Sequence, residues 1–269
     1  MKALSRLLPR GMAVGSLFLG VGVLHLCAAA EGKSAASVAE LIVTVQSRSD
    51  SGSLGLQADD VTVHQGNSVR KIVGFDRLSG EEAAMQLFIY LGGSIRTETL
   101  ETLLPDLKNF VQTLPANSEV AVGTLHNGEL RLEQAFTTDH QTAARALRAQ
   151  PQLETSDGPY SALLYLTKRW PSQERMGRRA VLMLTDGNER DYGAPATDDP
   201  YVEAAIRNSQ IAGIAVYSVY MRGTGFYTPS EWALNLGQSN LLGVSNATGG
   251  HFYCEGLNDP VLLGRILRT

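Results

Sequence analysis

Three features of the sequence predict a three-layer α/β fold, with a mainly parallel central sheet, helices on both faces and a small N-terminal β unit. From residue 84 onward, short apolar runs alternate with amphipathic segments. The runs are nearly continuous in their apolarity, as strands buried on both faces are. Ahead of them lies a stretch of β-branched runs broken by turn dipeptides, the pattern of short strands.

The first thirty residues are of another kind. Lys2, Arg6 and Arg10 precede an apolar run from Met12 to Leu26, and Ala28-Ala29-Ala30 follows it. That is the plan of a secretory signal cut before Glu31. At about 15 residues the run falls short of the roughly 20 that a spanning helix needs. An uncleaved anchor is the competing reading; with cleavage, no membrane span is expected. Cys27 follows Leu26, where a lipoprotein signal needs a small residue, so it is expected to leave with the leader. The expected division is residues 1–30 as signal peptide, 31–83 as lead-in and β unit, and 84–269 as the α/β domain, in a secreted or periplasmic protein.

The leader holds three of the 23 basic residues and none of the 27 acidic ones, so cleavage takes the net charge from −4 to −7. No basic face for nucleic acid or anionic lipid is indicated. Of the two cysteines only Cys254 then remains, which excludes an intramolecular disulfide.

In chain order, Leu41-Ile42-Val43-Thr44-Val45 is a β-branched run expected to form a strand. The alternating Val61-Thr62-Val63-His64 predicts a second strand, broken by Gly66-Asn67, and Ile72-Val73-Gly74-Phe75 a third. Met85 to Leu91 predicts a strand buried on both faces. Leu100, Leu103, Leu104, Leu107, Phe110 and Val111 are spaced for a helix from about 98 to 113. Residues 119–125 and 129–136 predict a hairpin across Asn127-Gly128. Helices are expected over 138–149 and 160–170, a strand over 179–185, a helix over 201–212 closed by Gly213, and a strand over 214–221. A helix within 236–248, a short strand at 251–254 and a last helix at about 259–267 complete the order.

The order and punctuation of these pieces resemble the von Willebrand factor type A family over about residues 84 to 268. The residues that carry the likeness are Leu87 to Ile95, the strand end Leu182-Met183-Leu184-Thr185-Asp186-Gly187, Gly213 to Val219, and Ala247-Thr248-Gly249-Gly250-His251-Phe252. The preceding segment is similar to the short β lead-in of a bacterial exported subgroup of that family. The resemblance implies a Rossmann-like sheet whose strand-end loops build a metal site from an Asp-x-Ser-x-Ser triplet, a Thr and a second Asp. A hard cation such as Mg²⁺ takes about six oxygens there, one of them from an acidic partner residue.

In this sequence the triplet reads Gly92-Gly93-Ser94-Ile95-Arg96. Gly92 stands at the leading aspartate, Ser94 keeps the middle serine and Arg96 replaces the last; a shifted alignment puts Tyr90 or Leu91 in the lead, so none restores the carboxylate. Asp186 matches the third-loop aspartate, and Asp157 falls near the second-loop threonine. The expectation is a degenerate site without a metal, closed by Arg96 pairing with Asp186 or Asp157. The alternative is that Asp157 and Asp186, with Ser94, together still hold Mg²⁺. A calcium loop at 186–191 is disfavoured because Arg190 stands where an oxygen ligand is needed. The five histidines, at 25, 64, 126, 140 and 251, form no metal-ligand pair.

The segment 222–232 is long for a connection and holds Phe226, Tyr227 and Trp232. These aromatics are expected either to form a partner-binding rim or to fold back over the sheet edge. The resulting expectation is an exported, non-catalytic protein-binding module of the adhesion type, with a protein partner and no cofactor. The alternative is a hydrolase-like enzyme, which needs a nucleophile and base converging near Ser94.

Overall fold

The computed structural model describes residues 38, 41, 43, 55–78, 80–93, 95–126, 129–149, 158–172, 178–190, 197–222 and 230–254. The chain divides into two compact units, Met1–Ala39 and Glu40–Thr269. Of the first unit only Val38, which is exposed, lies among the described residues. Every helix and strand named below belongs to the second.

The lead-in holds one antiparallel hairpin, β1 (Val63–Gln65) and β2 (Ser68–Arg70), turning at Gly66 with φ +60°. Of the three expected strands, among the described residues the second is present as β1, and its partner β2 follows the turn in place of the expected strand at 72–75. Residues 71–75 pair with nothing regular, and Val73 and Phe75 are exposed. Leu41 and Val43 lie outside any strand and are also exposed, while 42, 44 and 45 lie outside the described residues. A β-branched run forms a strand only where a neighbour takes up its backbone bonds.

The main sheet comprises β3 (Gln86–Leu91), β4 (Glu119–His126), β5 (Glu129–Thr137), β6 (Arg179–Thr185), β7 (Ile214–Tyr220) and β8 (Phe252–Tyr253), in the order β5-β4-β3-β6-β7-β8. Counted within this sheet the order is 3-2-1-4-5-6, that of doubly wound folds. Only β5 is antiparallel, the outer arm of the expected hairpin. Leu87, Ile89 and Leu91 of β3 enter one core, with α1 (Thr97–Gln112) and α2 (His140–Ala146). Phe88 and Tyr90 enter the other, with α3 (Pro159–Lys168), α4 (Pro200–Ala212) and α5 (Glu231–Thr248). The period-2 alternation of a strand thus divides one apolar run between two cores.

Local chemistry sets most helix limits. Asp139 caps α2 by accepting the N–H groups of Gln141 and Thr142, and those bonds hold its carboxyl below the usual range, the hydroxyl of Thr142 contributing most. The helix stops at Ala146, three residues short of expectation, because Leu147 turns extended and is fully buried. Ser230 accepts the N–H of Ala233 at 3.2 Å and starts α5 at Glu231, five residues earlier than expected. The Ala-Thr-Gly-Gly stretch proves structural. Thr248 Oγ1 accepts the N–H of Val216 and donates to the carbonyl of Val244, and Gly249 ends α5 at φ +80°. The last expected helix lies outside the described residues.

At the N-terminal end of the sheet, the buried side chain of Gln86 accepts the indole N–H of Trp170 at 2.8 Å and donates to Glu119 and Ser172. Trp170 packs on Phe136 and Phe88 above it. The three central strands β4, β3 and β6 start level, with this network beneath them.

Helix α1 runs through Pro105, which is exposed and lacks the N–H that would bond the carbonyl of Glu101. Pro105→Ala is therefore expected to raise stability by roughly 1–3 kcal/mol, net of the entropy that proline removes from the unfolded chain. Denaturant unfolding followed by circular dichroism measures it, and a lowered midpoint would contradict this account.

Candidate functional site

The chain leaves β3 for α1 on one face of the sheet and leaves β6 for α4 on the other, so the crevice between their C-terminal ends is the switch point where such sheets take ligands. The described residues there belong to a first loop after β3 (92, 93, 95 and 96), a second at the start of α3 (158–161) and a third after β6 (186–190). Of the positions singled out from the sequence they carry Gly92, Arg96 and Asp186.

The third loop is buried although it is strongly polar: Asp186 is 2%, Asn188 1% and Glu189 5% exposed. Such burial is tolerable only with partners. Arg190 donates to Asp186 Oδ2 at 2.5 Å, and the other oxygen of Asp186 accepts the N–H of Asn188 at 3.1 Å. Glu189 reaches across to the second loop, where one carboxylate oxygen accepts the N–H of Tyr160 at 2.8 Å and of Ser161 at 3.2 Å. Those two N–H groups are the open end of α3, the place where a helix dipole favours an anion. Tyr160, itself fully buried, donates its hydroxyl to the carbonyl of Gly187.

Two contacts fix this loop against its neighbours. Gly187, at φ +72°, lies back to back with Gly237 of α5; a Cβ on Gly237 would come within 2.1 Å of the Asp186 carbonyl. Gly92 donates to the carbonyl of Leu184 at 2.7 Å, and a Cβ there would meet that same oxygen at 2.9 Å and Thr185 Cβ at 3.0 Å. The position aligned with the leading aspartate is therefore short of space for any side chain as well as of charge.

Arg96 was expected to pair with Asp186 or Asp157, and the pairing with Asp186 is corrected. Arg96 is exposed, serves as the N-cap position of α1 without a side-chain cap bond, and forms no ion pair among the described residues. The cation beside Asp186 is Arg190, four residues on. Its reach is shorter because the loop curls on itself, whereas Arg96 is carried outward at the start of a helix. Ser94 and Asp157 lie outside the described residues, as do Phe226 and Tyr227. Trp232 is found in the first turn of α5, 51% exposed, and not in a loop folded over the sheet edge.

Glu189 and Tyr160 were missed in the sequence. Their only signal was a charged residue three places after a strand-end aspartate and an aromatic one place after a helix-starting proline, and neither names its contact. On the neighbouring strand end, burial pushes the Tyr220 phenol above its ordinary range, opposed by its hydrogen bond with Gln238 and supported by the nearby Asp186 carboxylate. Among the described residues no group of three or more His, Cys, Asp or Glu side chains could hold a metal ion. Among the described positions of the site, Gly92 offers no ligand and has little room for a side chain, and the Asp186 carboxylate is already paired with Arg190.

No family model matches the sequence, and no curated protein matches it. Solved structures do. An aerotolerance-related membrane protein from Bacteroides fragilis, solved with multiple mutations to serine, is 15% identical over 69% of this chain and 98% of its own, with a TM-score of 0.53. The conserved hypothetical protein BatB from Bacteroides thetaiotaomicron is 19% identical over 68% of this chain and 95% of its own, at 0.50. The vWF domain of the type V pili tip protein Mfa5 from Porphyromonas gingivalis is 11% identical over 68% and 93%, at 0.49. At these identities the likeness concerns the fold alone.

The geometry predicts the outcome of a double-mutant cycle. Arg190→Ala should cost on the order of 2–3 kcal/mol, below the range for fully buried pairs because Arg190 keeps 22% exposure. Adding Asp186→Asn should recover much of that loss, since it removes the stranded charge. Thermal unfolding of the four proteins gives the coupling; strictly additive losses would show that the pair is not coupled.

Proposed function

We propose that this chain, whose doubly wound α/β sheet and strand-end residues resemble the von Willebrand factor type A family, is an exported, non-catalytic protein-binding module of the adhesion type, with a degenerate metal site closed by its own side chains. The observation that carries this reading is the Arg190–Asp186 pair, which puts a guanidinium on the one acid of the site that both the family pattern and the described residues retain. The steric restriction at Gly92 supports it. In place of an ion that would tie three loops together, Glu189 ties the third loop to the second and the Gly92 N–H ties the first to β6. The crevice is thereby held in one shape by bonds internal to the chain.

Export is inferred from the leader, and no helix among the described residues is long and apolar enough to cross a membrane. A binding role is favoured over catalysis because the two described acids of the crevice, Asp186 and Glu189, are engaged in structural bonds. Its loops at 92–96, 158–161 and 186–190 also carry no His or Cys to act as base or thiol nucleophile. The partner is a protein, met by the rim of the crevice, of which Trp232 is an exposed aromatic element.

Isothermal titration with Mg²⁺, Mn²⁺ and Ca²⁺ at millimolar concentration is expected to give no saturable heat. Partner capture from the envelope of the producing cell is expected to be unchanged by EDTA. A saturable one-to-one site for any of these ions would refute the closed-site reading. Turnover of generic ester or phosphate substrates that is lost in Ser94→Ala would refute the non-catalytic one.

A further inference from the structure

We propose that the outer face of α5 is an interface with a second copy of this chain, the two helices packing antiparallel about a two-fold axis that passes between Asn235 and Ser239. The contact goes beyond the binding-module reading and shares only Trp232 with it.

Charge is missing from this face. Among its 18 residues α5 carries one charged side chain, Glu231 in the first turn, whereas the shorter α1 carries Glu98, Glu101, Asp106 and Lys108. The helix packs inward on β7 and β8 and sideways on α4. Its outward stripe is Trp232, Asn235, Ser239, Leu242 and Asn246, all exposed and spaced three or four apart. Trp232 is 51% and Leu242 45% exposed. A helix face turned to water ordinarily carries charge, and loss of charge around exposed apolar side chains marks the centre of a protein interface. Ile211, 79% exposed, stands beside the same helix, since the adjoining Gln210 donates to the carbonyl of Ala247 at 2.7 Å.

Gly243 is an independent sign of the same contact. It lies inside the helix next to Leu242 on the exposed side, and a Cβ there would meet nothing within 4 Å. Glycine weakens a helix interior relative to alanine, and no described contact requires it here; at Gly237, by contrast, the Asp186 carbonyl does. An exposed glycine of this kind leaves room for a large side chain or a second backbone to come close.

The stripe identifies its occupant because it complements itself. With the axis between Asn235 and Ser239, each Trp232 meets Leu242 of the second copy and each Asn235 meets its Ser239, so two apolar pairs flank two amide–hydroxyl pairs. At a net charge of −4, two copies repel one another, and the uncharged face is where that repulsion opposes contact least. A helix of 18 residues offers a face about 27 Å long. Two such faces bury on the order of 1,000 Å² together, the low end for specific association, so the dimer is weak and reversible.

Sedimentation velocity on the full chain from about 5 to 500 µM is expected to show a monomer–dimer equilibrium with its midpoint on the order of 100 µM. Leu242→Lys and Gly243→Arg should each raise that midpoint about tenfold or more, with a Tm no lower than that of the unaltered chain because both positions are exposed. Mixing Trp232→Glu with Leu242→Lys, each largely monomeric alone, should restore a one-to-one dimer. One contact then sets the introduced carboxylate against the introduced ammonium, and the other keeps its Trp232–Leu242 pair. A chain that is monomeric throughout, a dimer indifferent to Leu242→Lys and Gly243→Arg, or a mixture no more associated than its components overturns the proposal. Leu242 and Gly243 lie outside the three crevice loops, so failure here leaves the binding-module reading standing.

Discussion

A carboxylate placed at the end of a central parallel strand and covered by its own loop has to be neutralised, because desolvating it alone costs far more than one loop can return. Asp186 meets that requirement with Arg190, and the rest of the crevice is arranged around the pair. For the guanidinium to reach back four residues, the loop must turn sharply, which Gly187 allows at φ +72°. For the turn to be buried, α5 must approach it closely, which Gly237 allows. With the loop so placed, Glu189 comes to the open end of α3 and satisfies two of its backbone donors. Each contact is a condition for the next, so the three loops are bound into one unit by interactions that all lie within the chain.

This arrangement separates where a site is from what it does. The doubly wound order puts a crevice between β3 and β6 whatever residues line it, since the chain must leave the two strands toward opposite faces. The network of Gln86, Glu119, Ser172 and Trp170 at the far end of the strands is buried and hydrogen-bonded, which fits a structural anchor. At the crevice end the same sheet geometry carries side chains joined by hydrogen bonds and an ion pair. The sheet places the crevice and its side chains set the chemistry, which is why the fold by itself does not assign the function.

Much of the molecule was legible before any coordinates. Apolar runs such as Leu87–Leu91 and Leu182–Thr185 were long enough, and apolar enough on both parities, to be read as buried parallel strands, and Asn127-Gly128 marked the hairpin that joins the antiparallel pair of the main sheet. Asp186 could be placed at a strand end, and the missing leading aspartate could be seen at Gly92. The run at 72–75 forms no strand, since a β-branched run signals a preference that only a neighbouring strand can satisfy. The start of α5 was placed late because Ser230 declares itself as a cap only through its bond to Ala233.

The sequence by itself determined the fold class, the order of elements and the absence of an aspartate at Gly92, because these depend on periodicity and on which residue types are present. Only the tertiary structure decided that Arg190, and not Arg96, meets Asp186, that Glu189 joins two loops, and that Gly92 has no room for a side chain. The physical reason is reach. Pairing and crowding depend on distances across chain segments tens of residues apart, and those distances exist only once the sheet and helices have packed.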